Sequence, residues 1–166
     1  GVSAGTQLST GSDNILIGQS SGSAPSAANK NVGIGPYSLQ SLSYSGDSYN
    51  VAVGYHAGRL ITTGIRNTLI GGLAGDSITT GSNNVAIGMG SLQTEDGHGR
   101  NVAIGSQALS LLNAGTDAYN VAVGYDAGKL VSTGTVNTII GGLAGRTLTT
   151  GNNNTAIGYN ALSSED

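Results

Sequence analysis

Apolar and polar positions alternate in a short unit that recurs along the whole chain: an asparagine, three residues that are apolar or threonine, and a glycine. The unit occurs nine times, and the steps between successive asparagines are 17, 19, 17, 17, 17, 19, 17 and 17 residues. A fixed repeat with one strand-like segment predicts a solenoid. We therefore predict an all-β fold, a parallel β-solenoid of 17–19-residue coils. At ~4.8 Å per coil, nine coils would form a rod about 43 Å long. The asparagines are Asn14, Asn31, Asn50, Asn67, Asn84, Asn101, Asn120, Asn137 and Asn154.

A longer repeat contains the short one. Residues 50–96 align with residues 120–166 without a gap, with 30 identities in 47 positions, which indicates a duplicated 70-residue cassette. We expect a single repeat array over residues 1–166, with superrepeats 1–70 and 71–140 and a partial copy 141–166. Both ends fall within a coil and neither resembles a capping repeat. The chain is thus expected to be a segment of a longer fibre.

Both faces of the predicted strand avoid polar residues. The first and third residues after each asparagine are Ile, Val or Thr, as in Val51 and Val53, and share one face of a strand of period two. We expect this β-branched face to pack inside the coil. The residue between them, such as Ala86 or Ala122, is never polar, and a strand that is apolar on both faces is buried on both. We expect the middle residue to pack against other copies of the chain, in a threefold bundle.

The turns have their own sequence signals. The invariant glycine after each strand, followed three positions later by a small residue, predicts a tight corner where backbones approach closely. Ser/Thr-Thr-Gly, as at 62–64 and 149–151, predicts the return turn, with positive φ at its glycine. The stacked asparagines are expected to form a hydrogen-bonded amide ladder that satisfies backbone groups of the turns.

Composition narrows the class of function. Only 9% of the residues are charged, against roughly 25% in an ordinary globular domain. The net charge is −3 and the six basic residues are scattered, so we expect no nucleic-acid partner. No apolar run approaches the roughly 18 residues that cross a bilayer, so we expect no membrane insertion in this segment.

Few residues could carry chemistry. His56 and His98 lie in different coils, and the duplicate has Asp126 in place of His56, so they are not expected to form a base or metal pair. Glu95-Asp96 recurs as Glu165-Asp166, which we interpret as a solvated loop; a weak Ca²⁺ site is the alternative. We expect no catalytic residue, no metal, no cofactor and no enzyme activity.

Tyrosines are the candidate binding residues, because tyrosine offers a large flat face and one hydroxyl at little entropic cost. The position directly after the corner glycine holds Tyr55, Tyr125 and Tyr159, with Met89 and Pro36 in equivalent places. The alternative is that these tyrosines shield the corner or line a subunit seam. Insertions in solenoids collect on the binding face, and the two longer coils bring extra residues near further tyrosines. Those further candidates are Tyr37, Tyr49 and Tyr119.

Asn-Val-Ala-Ile-Gly at 84–88 and 101–105, and Asn-Asn-Thr-Ala-Ile-Gly-Tyr-Asn-Ala-Leu at 153–162, resemble the head repeats of trimeric autotransporter adhesins. They are similar also to the longer coils of phage tail fibres. The resemblance covers nearly the whole chain and implies a left-handed, trimeric β-roll. Coils of 17 or 19 residues are longer than the adhesin unit, so the extra residues could form a short helical turn or a bulged corner.

Three classes of function follow. The first is a structural and adhesive fibre segment, a rigid homotrimeric shaft or head of a tail fibre or cell-surface adhesin. It would be extracellular and would meet, or support contact with, a host-surface glycan or protein receptor; a filament without receptor binding is a variant. The second is an ice-binding solenoid, disfavoured because the Thr-Thr pairs are interrupted every two coils. The third is a polysaccharide-cleaving β-helix, which would need clustered carboxylates in a groove.

Overall fold

The computed structural model describes residues 1–24 and 26–163. These residues form eleven strands of three residues each and no helix. The strands are β1 (Ile15–Ile17), β2 (Ala27–Asn29), β3 (Val32–Ile34), β4 (Ser45–Asp47), β5 (Val51–Val53), β6 (Thr68–Ile70), β7 (Val85–Ile87), β8 (Val102–Ile104), β9 (Val121–Val123), β10 (Thr138–Ile140) and β11 (Thr155–Ile157).

Nine strands stack in one parallel sheet, in the order β1-β3-β5-β6-β7-β8-β9-β10-β11. The strands stay in register at every step, so that Val51 pairs with Thr68 and Thr68 with Val85. A second sheet pairs β2 with β4, where the first long coil adds its two extra residues. The fold is the predicted all-β parallel β-solenoid. The extra residues of the long coils form strand β4 in one cassette and turns and bends in the other, with no helical turn.

The prediction for the two faces of the strand is wrong. The middle residue points into the coil: Ala52, Ala86 and Ala103 are 0% exposed. We call this set the inner column, and it is buried from Gly33 to Ala156. The reason is steric, because a coil of about 17 residues encloses little space opposite its strand, and the side chains there are small except at Leu16, Leu69 and Ile139. The residue that we expected at a subunit seam therefore forms the core of each coil.

The β-branched residues face outward instead. They flank the inner column on both sides and stay intermediate or exposed in every strand, as with Ile70 at 38% and Ile17 at 55%. Because the strands are in register, these side chains form two parallel lines over nine coils. We call this surface the outer strip. Its members are Ile15, Ile17, Val32, Ile34, Val51, Val53, Thr68, Ile70, Val85, Ile87, Val102, Ile104, Val121, Val123, Thr138, Ile140, Thr155 and Ile157.

Inside the coils, large and small side chains compensate each other. Leu69 is a large member of the inner column, and a Cβ added at Gly58 or Gly75 would lie within 2.8 Å of its methyl groups. In the Ala86 and Ala103 coils, where the inner column holds a small residue, Leu92 and Leu109 take the place of the glycine. In these coils the leucine fills the space that a large inner-column residue fills elsewhere.

The corner glycine after each strand is required by the fold. Those from Gly18 to Gly158 have φ between 124° and 140°, a region that only glycine adopts freely. From Gly18 to Gly141, a Cβ there would lie 2.2–2.6 Å from the backbone of the corner glycine in the next coil. The predicted tight corner is confirmed: successive coils touch here backbone to backbone.

The glycine of the return turn differs from its prediction. Gly64, Gly81 and Gly134 do not have positive φ; they are needed because a Cβ would lie 2.2–2.4 Å from a carbonyl oxygen of the next coil. The left-handed residue comes two positions later, directly before the ladder asparagine. It has φ between 52° and 64° at each of the nine ladder positions: Asp13, Lys30, Tyr49, Arg66, Asn83, Arg100, Tyr119, Val136 and Asn153.

Candidate functional site

The stacked asparagines are joined coil to coil by hydrogen bonds. In all eight steps the backbone N–H of one asparagine donates to Oδ1 of the asparagine in the preceding coil, at 2.9–3.2 Å. Asn67 and Asn84 also donate their side-chain amides to the same oxygens, at 3.2 and 3.1 Å. The side chain thus replaces a backbone acceptor just before the strand begins.

The same side chains close the return turn. Nδ2 of Asn50, Asn67 and Asn137 donates to the carbonyl oxygen fourteen residues later, in Gly64, Gly81 and Gly151, at 2.8–2.9 Å. The asparagines from Asn31 to Asn137 are buried, so an unpaired amide there would cost about 1–3 kcal/mol. The ladder is structural, and its side chains are not available to a ligand.

The six candidate tyrosines are exposed or half-buried and lie in two separate places. Tyr49 and Tyr119 precede ladder asparagines, and each sits in an equivalent polar cluster of its cassette. Lys30 Nζ lies 2.5 Å from Asp47 Oδ2, 3.2 Å from the Tyr49 hydroxyl and 5.2 Å from the centre of its ring. Asp47 and the Tyr49 hydroxyl raise the pKa of Lys30 above its usual range.

The second copy of this cluster has the same form. Arg100 Nη1 lies 2.8 Å from Asp117 Oδ2 and donates to the Tyr119 hydroxyl, with its guanidinium 5.3 Å from the centre of that ring. In both copies the cation engages the hydroxyl and the ring together. These contacts hold each tyrosine in place, and about half of each side chain stays exposed.

Tyr55, Tyr125 and Tyr159 directly follow a corner glycine, and Tyr37 comes two positions after Gly35. Tyr55 stacks on His56, with ring centroids 3.9 Å apart and planes at 15°, and Tyr37 of the preceding coil meets both rings edge-on at 6.2 and 5.2 Å. We call Tyr37, Tyr55 and His56 the aromatic platform. Tyr125 and Tyr159 occupy the same column as Tyr55 and are 61% and 78% exposed. Among the described residues, neither packs on another aromatic ring.

An ion pair braces the platform from the next coil. Arg59 Nε and Nη2 donate to the two carboxylate oxygens of Asp76, at 2.8 and 3.2 Å, and His56 Nδ1 lies 3.8 Å from Asp76 Oδ1. Burial, and then the Arg59 cation, lower the pKa of His56, against the opposing effect of Asp76. This lowered pKa favours the neutral imidazole.

In the duplicated copy, residues 120–166, the charges at these positions are exchanged. Asp126 stands where His56 stands, and Arg146 where Asp76 stands. Asp126 Oδ2 lies 3.3 Å from Lys129 Nζ and 4.0 Å from Arg146 Nε. The acidic residue lies in the later coil in the first copy (Asp76) and in the earlier coil in the duplicate (Asp126). An ion pair between the two coils is therefore present in both copies, although the aromatic platform is present only in the first. Sequence reasoning set His56 aside as a poor catalytic base; comparing its neighbours in the two cassettes would have shown its place in this network.

Glu95 contradicts the interpretation of its segment as a solvated loop. Its side chain is 0% exposed and occupies a core position that is Ile78 in the coil before and Leu112 in the coil after. Oε1 accepts a hydrogen bond from the His98 backbone N–H at 3.2 Å, and burial raises the pKa of the carboxyl. Asp96 alone is exposed. Glu165 and Asp166 lie outside the described residues.

Metal and membrane sites are not visible in the part of the chain that the structure describes. Over residues 1–24 and 26–163, no three His, Asp or Glu side chains come together as a metal ion would require. The same residues contain no helix with the length and apolar character to cross a bilayer. No protein-family model, curated protein or solved structure matches the chain.

Proposed function

We propose that this chain is a rigid segment of an extracellular structural or adhesive fibre, and that its outer strip packs against two further copies of itself. The observation that carries the proposal is the outer strip. Fifteen of its eighteen residues are Ile or Val and the other three are Thr. None is charged, and every one of them is at least partly accessible.

The size of the strip supports an interface. Nine coils at ~4.8 Å and three residues at about 3.3 Å give a flat surface of roughly 430 Å². That is comparable with the largest apolar patch on a typical monomer, about 300–600 Å², which is commonly functional. Here the patch runs uninterrupted along the whole array, which favours a partner of the same length.

A second copy of the chain is the partner that fits. The strip presents the same two β-branched lines at every coil, with the same rise. Copies aligned along a common axis would therefore meet coil against coil, aliphatic side chain against aliphatic side chain. The resemblance to trimeric adhesin heads and phage tail fibres favours three copies, and an extracellular or virion surface as the location.

The repeated features of the chain favour a structural role over a catalytic one. Each structural device, the asparagine ladder, the corner glycine and the inner column, recurs at nearly every coil and stiffens the rod. Several positions that vary between coils lie on the surface, among them Tyr49, Tyr55 and Tyr119, which are about half exposed. A rigid shaft that displays tyrosines outside its seam suits contact with a surface glycan or protein receptor.

The particle mass in solution tests this proposal. Light scattering behind a sizing column should give three times 16.3 kDa, in an elongated particle. A well-folded monomer would contradict the self-packing of the outer strip, and with it the trimeric fibre.

A further inference from the structure

Gly72 is a glycine that the fold does not require. Its φ is not in the left-handed region, and a Cβ added there would meet only the Tyr55 carbonyl oxygen, 4.0 Å away. Its neighbour Gly71 is a corner glycine with a φ of 131°. The absence of a side chain at 72 therefore serves neither a turn nor a close approach of two backbones.

Because Gly72 has no side chain, it leaves space beside the aromatic platform. Gly72 lies in the column of residues that follow the corner glycines, between Tyr55 in the coil before and Met89 in the coil after. The flanking positions are two coils apart, about 9.6 Å at ~4.8 Å per coil. A flat ring at the level of Gly72 would lie about 4.8 Å from the level of each flanking residue, measured along the stack of coils. Ring centroids in packed aromatic pairs are about 4.5–7 Å apart.

The two residues that flank Gly72 in this column are Tyr55 and Met89. Each is about half exposed, and the Tyr55 ring is held by its stack with His56. His56 lies beside the Asp76 carboxylate, and Asp76 is held by two hydrogen bonds from Arg59. A neutral imidazole offers one hydrogen-bond donor and one acceptor.

We propose that the Gly72 gap and the aromatic platform form a binding site for a neutral saccharide, with one pyranose ring packed against Tyr55. The C–H-rich face of a pyranose suits the exposed tyrosine ring, and its hydroxyls suit the Tyr55 hydroxyl and the His56 imidazole. The assignment rests on the proposed function, since it names the class of receptor that the fibre would meet.

The second cassette supplies a matched control within the same chain. Tyr125 and Gly142 occupy the positions of Tyr55 and Gly72. There Asp126 replaces His56, Gln107 replaces Tyr37, and the Tyr159 ring lies within 3.5 Å of a Cβ added at Gly142. The platform is absent and the gap is covered, so of the two aligned copies, residues 50–96 and 120–166, only the first carries the site.

The test uses the two histidines as reporters in NMR titrations. Methyl glycosides of glucose, galactose, mannose and N-acetylglucosamine are added at millimolar concentration to the intact chain. At least one should shift the imidazole signal of His56, with the signal of His98 unmoved. Gly72→Leu, which fills the gap, and Tyr55→Ala should each weaken binding by at least about tenfold, whereas Tyr125→Ala should bind as the parent does.

Three outcomes would overturn the site: no His56 shift with any glycoside, an unchanged titration in Tyr55→Ala, or a shift only with aromatic peptides. Circular dichroism of Gly72→Leu distinguishes a filled gap from a lost fold, and Gly72→Ala gives a smaller side chain at the same place. The particle mass separates this result from the fibre. A monomer that binds glycoside refutes the fibre and keeps the site, and a trimer that binds none does the reverse.

Discussion

Gly71 and Gly72 are adjacent in the chain, yet the structure needs a glycine only at the first. Gly71 has a φ of 131°, and a Cβ there would lie 2.6 Å from the Gly88 carbonyl oxygen. At Gly72 the nearest atom to such a Cβ is 4.0 Å away. Glycine at 71 is therefore required by the fold, whereas glycine at 72 affects only the shape of the surface.

Gly71→Ala should lower the free energy of unfolding by at least about 2 kcal/mol, from the left-handed backbone together with overpacking. Gly72→Ala should leave it unchanged or raise it by about 0.4–1 kcal/mol, because alanine reduces the entropy of the unfolded chain. Urea unfolding of the two variants measures both. Equal losses would show that Gly72 too is held by the fold.

Neighbouring residues of β8 distinguish the outer strip from the inner column. Ile104→Lys places a charge on the outer strip and should yield folded monomers, because the buried seam would have to hold an unpaired ammonium. Ala103→Asp places a carboxylate where Ala103 is 0% exposed and should prevent the coil from closing. Sizing chromatography and circular dichroism distinguish the two results.

Threonine provides the control for this pair. Ile104→Thr keeps a β-branched side chain of the kind present at Thr68, and should stay trimeric. A trimer that survives Ile104→Lys would place the seam elsewhere on the rod.

The strand and the asparagine ladder could be predicted because their signals repeat at fixed spacing. The direction of the strand faces could not, because both faces are apolar and period two does not say which face is inside. The size of the side chains carried that information: the inner column is mostly Ala, whereas the outer strip is β-branched throughout. Five of the nine members of the inner column are alanine, which suits the narrow interior of a 17-residue coil, although Leu69 and Ile139 are also buried there.

The aromatic platform lay beyond the reach of repeat analysis, since it joins residues that differ between cassettes. Tyr37 and Tyr55 belong to different columns of adjacent coils, and their contact depends on how the coils stack. Glu95 was misjudged for a related reason. Its neighbour Asp96 suggested a solvated pair, although Glu95 stands in register with Ile78 and Leu112.

Val136 is a β-branched residue with a φ of 59°, a conformation that costs such a residue about 1–2 kcal/mol. The equivalent residues Asn83 and Asn153 have φ of 61° and 59°, and asparagine tolerates that region. Val136→Asn should therefore raise the free energy of unfolding by about 1 kcal/mol. Thermal and urea unfolding check the change.

Val136→Ile is the matched control, because it keeps the branched Cβ and should not stabilise the chain. Val136 is 51% exposed, so little burial is lost with the valine. A loss of stability in Val136→Asn would mean that apolar contacts of this residue outweigh its backbone strain.

The charges around His56 predict how its pKa should respond to a substitution at Asp76. His56 has its pKa lowered from 6.5 by burial and by Arg59, and Asp76 opposes the shift. Asp76→Asn should lower the pKa of His56 further, which NMR of the imidazole measures directly. Because the folded state binds the proton less tightly, the contribution of His56 to stability is present above pH 6.5 and is lost as the pH falls through its folded pKa.

A double substitution at positions 56 and 76 tests whether these two positions interact, as Asp126 and Arg146 do in the duplicate. Asp76→Arg alone puts a second cation against Arg59 and should destabilise the coil, whereas adding His56→Asp recreates the arrangement of Asp126 and Arg146. The coupling energy of such a partly exposed pair is expected to be about 0.2–1 kcal/mol. Additive effects of the two substitutions would deny any interaction between these positions.

Because the Glu95 carboxyl is buried, we expect its contribution to the free energy of unfolding to fall as the pH rises. Burial raises the pKa of its carboxyl above 4.5, so the folded state holds the proton more tightly than the unfolded state. The stability from the neutral acid is complete below that value and is lost as the pH rises through the folded pKa. Among the described residues Oε2 has no hydrogen-bond partner, and His98 Nδ1 lies 3.7 Å from Oε1.

Glu95→Leu restores the apolar residue of this core position and should raise the free energy of unfolding at pH 8 by about 1–3 kcal/mol, the cost of burying a polar atom such as Oε2 without a partner. The gain should be smaller at pH 4, where the glutamic acid is neutral. Urea unfolding at both pH values measures the difference. Asp96→Asn, at the exposed neighbour, should show no comparable dependence on pH, and an equal gain from Glu95→Leu at pH 4 and pH 8 would exclude ionisation of Glu95 as its cause.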